Sequence, residues 1–497
     1  MHVRSKVSYD RTGVAVKNCL WIAFILLAGC SLSPSYHRPV QDIPVSWENR
    51  AGTRLEEQWW QRFNDPVLNG LVERALEHNL DLATSFARLE QAAAAVGLSR
   101  SDLAPTPSLD GSGSQTWTST RIYGAPPPGS EEYSNHDIYV GAAWELDFWG
   151  KYRNALQSGQ AAFLATAADV EAIRLLIAGT TVKAYFALLS AEFQIRIAEK
   201  TLEQRLQAFE FYEVNEKFGF YSKTDLLRAK SEVEDARYTL AVARMDADSA
   251  HSALLLLLGR SPSAIFSDSV NTSTSLDLLP VVPVLPDGLP SELLMRRPDL
   301  RSAEQLLQAA HFDVGVVRAD YFPSISLTGQ SGLAAMYAGD LTQSGAESWT
   351  YGLSIHLPLD FWRTRFREQM AEAKCREAAA DYDKAVQSAF RDIRDALNRQ
   401  ARLAEASDAL ERQVKDLKEA VIKADDRYRN GYSNFLDVLD ADRSHFAAQL
   451  AWARTRTQQL NAMVDVCLAL GGGWTGEAAS SSTQSMTTGE RANGGSQ

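Results

Sequence analysis

The chain has 497 residues, enough for two or three ordinary domains, with 50 Lys plus Arg against 62 Asp plus Glu and a net charge of −12. That acidic balance speaks against a nucleic-acid partner, because phosphate binding calls for a basic surface. Its 45% hydrophobic and 9% aromatic content excludes wholesale disorder.

Arg4, Lys6, Arg11 and Lys17 make a basic start, followed by an apolar run from Cys19 to Ala28 and the closing sequence Leu27-Ala28-Gly29-Cys30. About ten apolar residues are too few to span a bilayer, which takes about 20 in a helix, so residues 1–29 are predicted to be a signal peptide. Leu-Ala-Gly-Cys resembles a bacterial lipobox. It implies cleavage before Cys30, lipidation of that residue and, with Ser31 rather than Asp behind it, an outer-membrane destination. No later run is long and apolar enough for a transmembrane helix, so any membrane crossing falls to strands.

Residues 30–78 carry the lipidated start and the cluster Trp59, Trp60 and Phe63, expected to pack against the middle of a helix rather than to bind a ligand. A helix over Asp81–Ser101 leads to a strand near Ser108–Thr120 and a loop, Gly124–Tyr133, with three consecutive prolines. The next strand alternates Ile138, Val140, Ala142, Trp144 and Leu146 with Tyr139, Gly141, Ala143 and Glu145. From Lys151 to Phe218 there is no proline and only Gly159 and Gly179. A helix of that length extends about 100 Å at 1.5 Å per residue, far beyond a globular-core helix. A turn at Lys217–Asp225 with Gly219 precedes a helix over Ser222–Leu258, and a Pro-rich linker fills 261–290.

The same order then recurs. A strand is predicted over Ser324–Tyr337, a polar loop over Ala338–Glu347, and a strand in which Trp349, Tyr351, Leu353, Ile355 and Leu357 alternate with Thr350, Gly352, Ser354 and His356. Arg363 to Asn430 contains neither Gly nor Pro, and the turn Arg429–Asp437 holds Gly431. Leu410, Val414, Leu417, Val421 and Ala424 follow the four-three spacing of a coiled-coil seam, as do Leu202, Leu206 and Phe209. The Ser-, Thr- and Gly-rich tail 475–497 is predicted to be disordered.

The recurrence is a tandem duplication of 79–260 in 291–474. Asn79-Leu80-Asp81-Leu82 and Pro105–Gly111 return 218 positions later as Arg297-Pro298-Asp299-Leu300 and Pro323–Gly329. Leu146-Asp147-Phe148-Trp149 returns after 213 as Leu359-Asp360-Phe361-Trp362, and Gly219, Asp225 and Leu258-Gly259 return after 212 as Gly431, Asp437 and Leu470-Gly471. Anchors in one order at nearly one offset exclude coincidence. Each strand of about ten residues suits a membrane β-strand with a lipid face and a lumen face. Four strands cannot close a barrel, and open edges in lipid are prohibitive, so the chain must oligomerise; three copies supply twelve strands. A lipid-anchored periplasmic coiled-coil scaffold with no channel is the rival reading.

These residues are similar to the TolC-like outer-membrane factors, in their lipoprotein (OprM/NodT-like) branch, over roughly Trp59 to Trp474. The resemblance rests on Trp59-Trp60-x-x-Phe63-x-Asp65-Pro66, Ala75-x-x-x-Asn79-x-Asp81-Leu82, Arg297-Pro298-Asp299-Leu300, Gly431 through Asp437-Val438-Leu439-Asp440-Ala441, and Leu470-Gly471-Gly472-Gly473-Trp474. It implies a mainly α protein with membrane β: a trimeric twelve-stranded barrel, four strands per protomer, continued by a long periplasmic α-helical coiled-coil tunnel. The implied partners are two further copies, outer-membrane lipid, a periplasmic adaptor protein and an inner-membrane RND-type pump. The implied activity is that of an exit duct, not an enzyme. No nucleophile elbow, phosphate loop or zinc motif is present. The eight histidines and four cysteines show neither His-x-x-x-His nor Cys-x-x-Cys spacing, so no metal or cofactor is expected.

By the same resemblance the turns at Gly219 and Gly431 are the far ends of the helix hairpins, where the tunnel narrows and the adaptor docks. Asp437 and Asp440 match lumen-facing gate aspartates; threefold symmetry would make each a ring that selects cations and admits a trivalent plug. Tyr428 and Asp225 match positions that latch the closed tip, while Ser433 replaces a commonly basic residue of a second latch. Counted at 1.5 Å per residue, Cys467 lies about 55 Å and Cys375 about 80 Å from the tip, so no disulfide is expected.

Overall fold

The structure is a computed structural model that describes residues 32–36, 38–39, 58–119, 121, 132–270, 272, 275–276 and 296–472. After a 3₁₀ turn at Trp59–Phe63 the elements run α1 (Pro66–His78), α2 (Leu80–Ser101), β1 (Thr106–Trp117), β2 (Glu132–Glu145), α3 (Lys151–Lys217), α4 (Lys223–Leu257) and α5 (Pro262–Ser267). The second pass is α6 (Pro298–Ala319), β3 (Ser324–Ala335), β4 (Glu347–His356), α7 (Phe361–Arg429) and α8 (Phe435–Ala469). Among the described residues no helix is long and apolar enough to cross a membrane. Residues 1–31, Cys30 with them, and the tail beyond 472 lie outside the described residues. The chain clusters into two compact units.

The first unit (1–40, 89–166 and 303–382) holds the sheet. Its four strands are antiparallel in the order β1-β2-β3-β4, so β1 and β4 are edges. The registers Leu109↔Val140, Ile138↔Leu333 and Leu327↔Leu353 carry the alternation across all four strands. One face therefore collects Leu109, Ile138, Val140, Trp144, Leu327, Trp349, Tyr351, Leu353 and Ile355, and the other Ser112, Asp137, Gln330, Thr350 and Ser354. The apolar face stands open in the single chain, with Tyr351 78% exposed. Some strand boundaries differ from the sequence reading. β1 starts at Thr106 and ends at Trp117, and β2 starts at Glu132, inside the predicted loop. Ladder bonds need no apolar side chain, and the polar pairs Ser112–Asp137 and Gln115–Glu132 extend the hairpin past its apolar row.

The second unit (41–88, 167–302 and 383–497) is helical where described. Trp59, Trp60 and Phe63 are buried, and Phe63 meets Phe186 of α3 edge-on at 5.0 Å. Asp65 caps α1 by accepting from the N–H groups of Val67 and Leu68, and Tyr185 donates to the same carboxylate at 2.7 Å. Ile393, Ala396, Val466 and Ala469 form one buried patch between α7 and α8, with Cys467 buried and burial pushing its thiol up to about 12. Cys375 and Cys467 are free thiols.

Candidate functional site: the helix-hairpin turns

Both hairpins of the second unit reverse through the same backbone. At the end of α3, Gly219 N–H bonds Glu216 O (2.8 Å) and Phe220 N–H bonds Asn215 O (3.0 Å); at the end of α7, Gly431 bonds Tyr428 O (2.9 Å) and Tyr432 bonds Arg427 O (2.8 Å). This paired 5→2 and 6→1 pattern is the Schellman stop, which puts its C′ residue in the left-handed region. Gly219 has φ +78° and Gly431 φ +76°. A Cβ on either would meet nothing within 4 Å, so the dihedral, not crowding within the chain, calls for glycine. Three residues on, Ser222 caps α4 by accepting from Asp225 N–H and Asn434 caps α8 by accepting from Asp437 N–H, each at 3.2 Å.

The side chains do not repeat. Tyr212, on the last turns of α3, is 1% exposed and lies under both turns. Its ring is 4.8 Å from that of Tyr221 and 4.1 Å from that of Phe435. Tyr212 donates to the Tyr428 hydroxyl at 3.0 Å, and the Tyr428 and Tyr221 hydroxyls are 2.5 Å apart. Burial raises the Tyr212 phenol well above its ordinary range and pushes Tyr428 up to about 12, so these two hydroxyls stay protonated.

The expected Tyr428–Asp225 latch takes a different form. No direct bond joins the two within the chain; Tyr428 is held by Tyr212 and Tyr221, while the Asp225 carboxylate accepts from the Ser222 hydroxyl at 2.7 Å. The local contact, three residues away in a capping box, costs little chain entropy and takes the carboxylate first. Asp225 acts on Tyr428 only through its charge, which helps keep the phenol neutral.

Asp437 and Asp440 are exposed on the first turns of α8, and neither carboxylate makes a hydrogen bond or ion pair among the described residues. Asp437 stands in the first turn, where the helix dipole favours a negative charge. The hydroxyl of Ser433 is buried without a partner among the described residues.

A second cluster, which the sequence reading did not find, lies two turns further along. Arg205 of α3 is 5% exposed, donates to the Glu232 carbonyl (2.9 Å) and pairs with Glu232 (3.3 Å), Asp235 (3.0 Å) and Asp442 (3.3 Å), its guanidinium 5.0 Å over the Phe446 ring. Arg443 donates to the buried Glu232 from the other side at 2.6 Å. Three helices, α3, α4 and α8, are thus tied by one buried cation. A charge next to a coiled-coil seam reads in sequence as a solvated flank, so only packing discloses it.

Residues 71–260 and 289–472 each match the family model described as outer membrane efflux protein, once per repeat. The chain is similar to the cation efflux system protein CusC of Escherichia coli, 31% identical over 459 residues, 90% of this chain and 97% of that one. It is similar to the solvent efflux pump outer membrane protein SrpC of Pseudomonas putida, 30% identical over 472 residues, 92% of this chain and 98% of that one. The crystal structure of the Campylobacter jejuni CmeC outer membrane channel resembles it with a TM-score of 0.86 at 26% identity, covering 92% of this chain and 98% of that one.

Proposed function

The chain belongs to the outer membrane efflux protein family, and from that premise we propose that it is the exit duct of a tripartite efflux or secretion system. In this reading a homotrimer, anchored through lipidated Cys30, receives substrates from an inner-membrane RND-type pump and a periplasmic adaptor and releases them outside the cell; it catalyses no reaction. The observation that carries it is the sheet. Four strands with an apolar face, a polar face and two open edges are stable neither in water nor in lipid as they stand. Lipid outside, water inside and strands from other copies at both edges satisfy every group.

The hairpin turns are the gate. Rings of Asp437 and Asp440, six carboxylates in a trimer, form a cation-selective constriction. Tyr428 keeps it shut through Tyr212 and Tyr221, and the turns at Gly219 and Gly431, bare of side chain, are where the adaptor's backbone approaches. The duct itself carries little substrate code: relatives named for cations and for solvents are 31% and 30% identical to it.

Planar-bilayer recording of the purified lipoprotein tests this. Small cation-selective currents blocked by a trivalent cation are expected in wild type, with the block weakened at least tenfold in Asp437→Ala/Asp440→Ala. A verified trimer without current would return the scaffold reading; current indifferent to the aspartates would keep the duct and remove this gate.

A further inference from the structure

The two strand-to-helix junctions carry the same motif in different surroundings. In the first, Leu146-Asp147-Phe148-Trp149 follows β2, and Trp149 Nε1–H donates to the Pro323 carbonyl at 2.8 Å while its ring stacks on Phe322 at 4.6 Å. Phe322 and Pro323 belong to the turn into β3, the strand that β2 pairs with. In the second, Leu359-Asp360-Phe361-Trp362 follows β4, Trp362 is 68% exposed, and its indole has no partner among the described residues.

The offsets between the copies hold residue by residue in the strand ladders. Thr106↔Ala143 in the β1–β2 hairpin becomes Ser324↔His356 in β3–β4, and Leu109↔Val140 becomes Leu327↔Leu353: 218 for one strand and 213 for the other. The same offsets carry the β2–β3 ladder onto β4 and β1. Gly141↔Gln330 maps to Ser354↔Ser112, and Tyr139↔Gly332 to Gly352↔Ser114. Phe322-Pro323 maps to Ala104-Pro105. Within one chain β4 and β1 are opposite edges, so the mapped ladder needs β1 of another copy.

We propose that the second junction is a clasp between copies: β4 pairs with a neighbouring copy's β1 in this register, and Trp362 seats on that copy's Ala104-Pro105 turn, its N–H on the Pro105 carbonyl. It rests on the reading of the sheet as part of a closed oligomeric barrel and names the seam. The glycines agree. Between β2 and β3 a Cβ on Gly332 would fall 2.0 Å from the Ile138 carbonyl. At the mapped pair the small residue has moved across, to Gly352, opposite Ser114. Charge agrees as well. Asp102, the counterpart of Asp320, makes no ion pair among the described residues, nor do Arg363 and Arg365 beside Trp362, whereas Asp320 holds Lys151 at 3.0 Å.

Cross-linking of the full chain in membranes, with Cys375 and Cys467 changed to Ser, tests the register. Opposed antiparallel residues sit about 4.5–5.5 Å apart, within disulfide range. Ser354→Cys/Ser112→Cys should oxidise to covalent dimers and trimers. Ser354→Cys/Thr116→Cys, four positions off or about 13 Å along the strand, should give at least fivefold less. Equal yields, or no cross-link in a protein that sediments as a trimer, would overturn the register; a monomer on sedimentation would bring down the trimeric duct with it. For the seat, Trp362→Phe keeps a ring and loses one hydrogen bond, so the half-life of the trimer in detergent should fall about fivefold. No change on Trp362→Phe would overturn the seat.

Discussion

The turn at Gly219 and the turn at Gly431 stop their helices with the same two backbone bonds and start the next with the same cap, yet one is crowded with phenols and the other presents bare carboxylates. Tyr221 and the Asp225–Ser222 contact belong to the first; Asp437 and Asp440, without partners among the described residues, belong to the second. Tyr428 joins them. Duplication kept what the chain needs in order to reverse and released the side chains to diverge, one turn packed with phenols and the other carrying exposed carboxylates.

The comparison breaks most severely at Tyr212, the ring under both turns. Tyr212→Ala should destabilise the tip by about 3–5 kcal/mol, and hydrogen exchange should accelerate together in 211–225 and 427–437; acceleration on one side only would mean that the turns are not coupled. Tyr428→Phe leaves the buried Tyr212 hydroxyl without its acceptor and should cost about 1–3 kcal/mol by the same measurement. Gly219→Ala and Gly431→Ala, each forcing a Cβ into the left-handed region, should cost about 1–2 kcal/mol apiece. Their effects should be equal because the dihedrals are, and unequal losses would show that one turn is braced elsewhere.

Asp225→Asn should be mildest, about 0.5 kcal/mol, since the carboxylate's hydrogen bond and ion pair are both local to its own helix start. A tip that opened freely in this variant would reinstate a direct latch. Alkali offers a separate handle. Tyr212 and Tyr428 ionise above an unfolded tyrosine, whose value is near 10, so their contribution is complete below about pH 10 and begins to be lost as pH rises through about 12, where Tyr428 titrates. Phenolate absorbance should show a late fraction that coincides with loss of tip protection.

Helix ends were legible because glycine and proline punctuate them: α3 was expected to end at Phe218 and ends at Lys217, and α7 at Asn430 and ends at Arg429. The strands were legible by alternation, except where polar pairs such as Gln115–Glu132 prolong a ladder that alternation does not mark. At the tip, composition located the turns but not the contacts. Tyr212 and Tyr428 are 216 positions apart, and nothing local distinguishes a tyrosine aimed at another from one aimed at a carboxylate. Arg205 was hidden for the same reason, since its three acidic partners lie on two other helices.

The open sheet also sets the order in which the molecule can be built. The helices meet their buried partners inside one chain, whereas the strands acquire theirs only from bilayer and sister chains. Barrel formation is then a reaction of several molecules, its equilibrium governed by mass action, and dilution should melt strands while leaving the helical signal intact. A cell making this protein slowly would accumulate helical, unassembled chains displaying β-edges, the species most exposed to proteolysis and to pairing with the wrong neighbour.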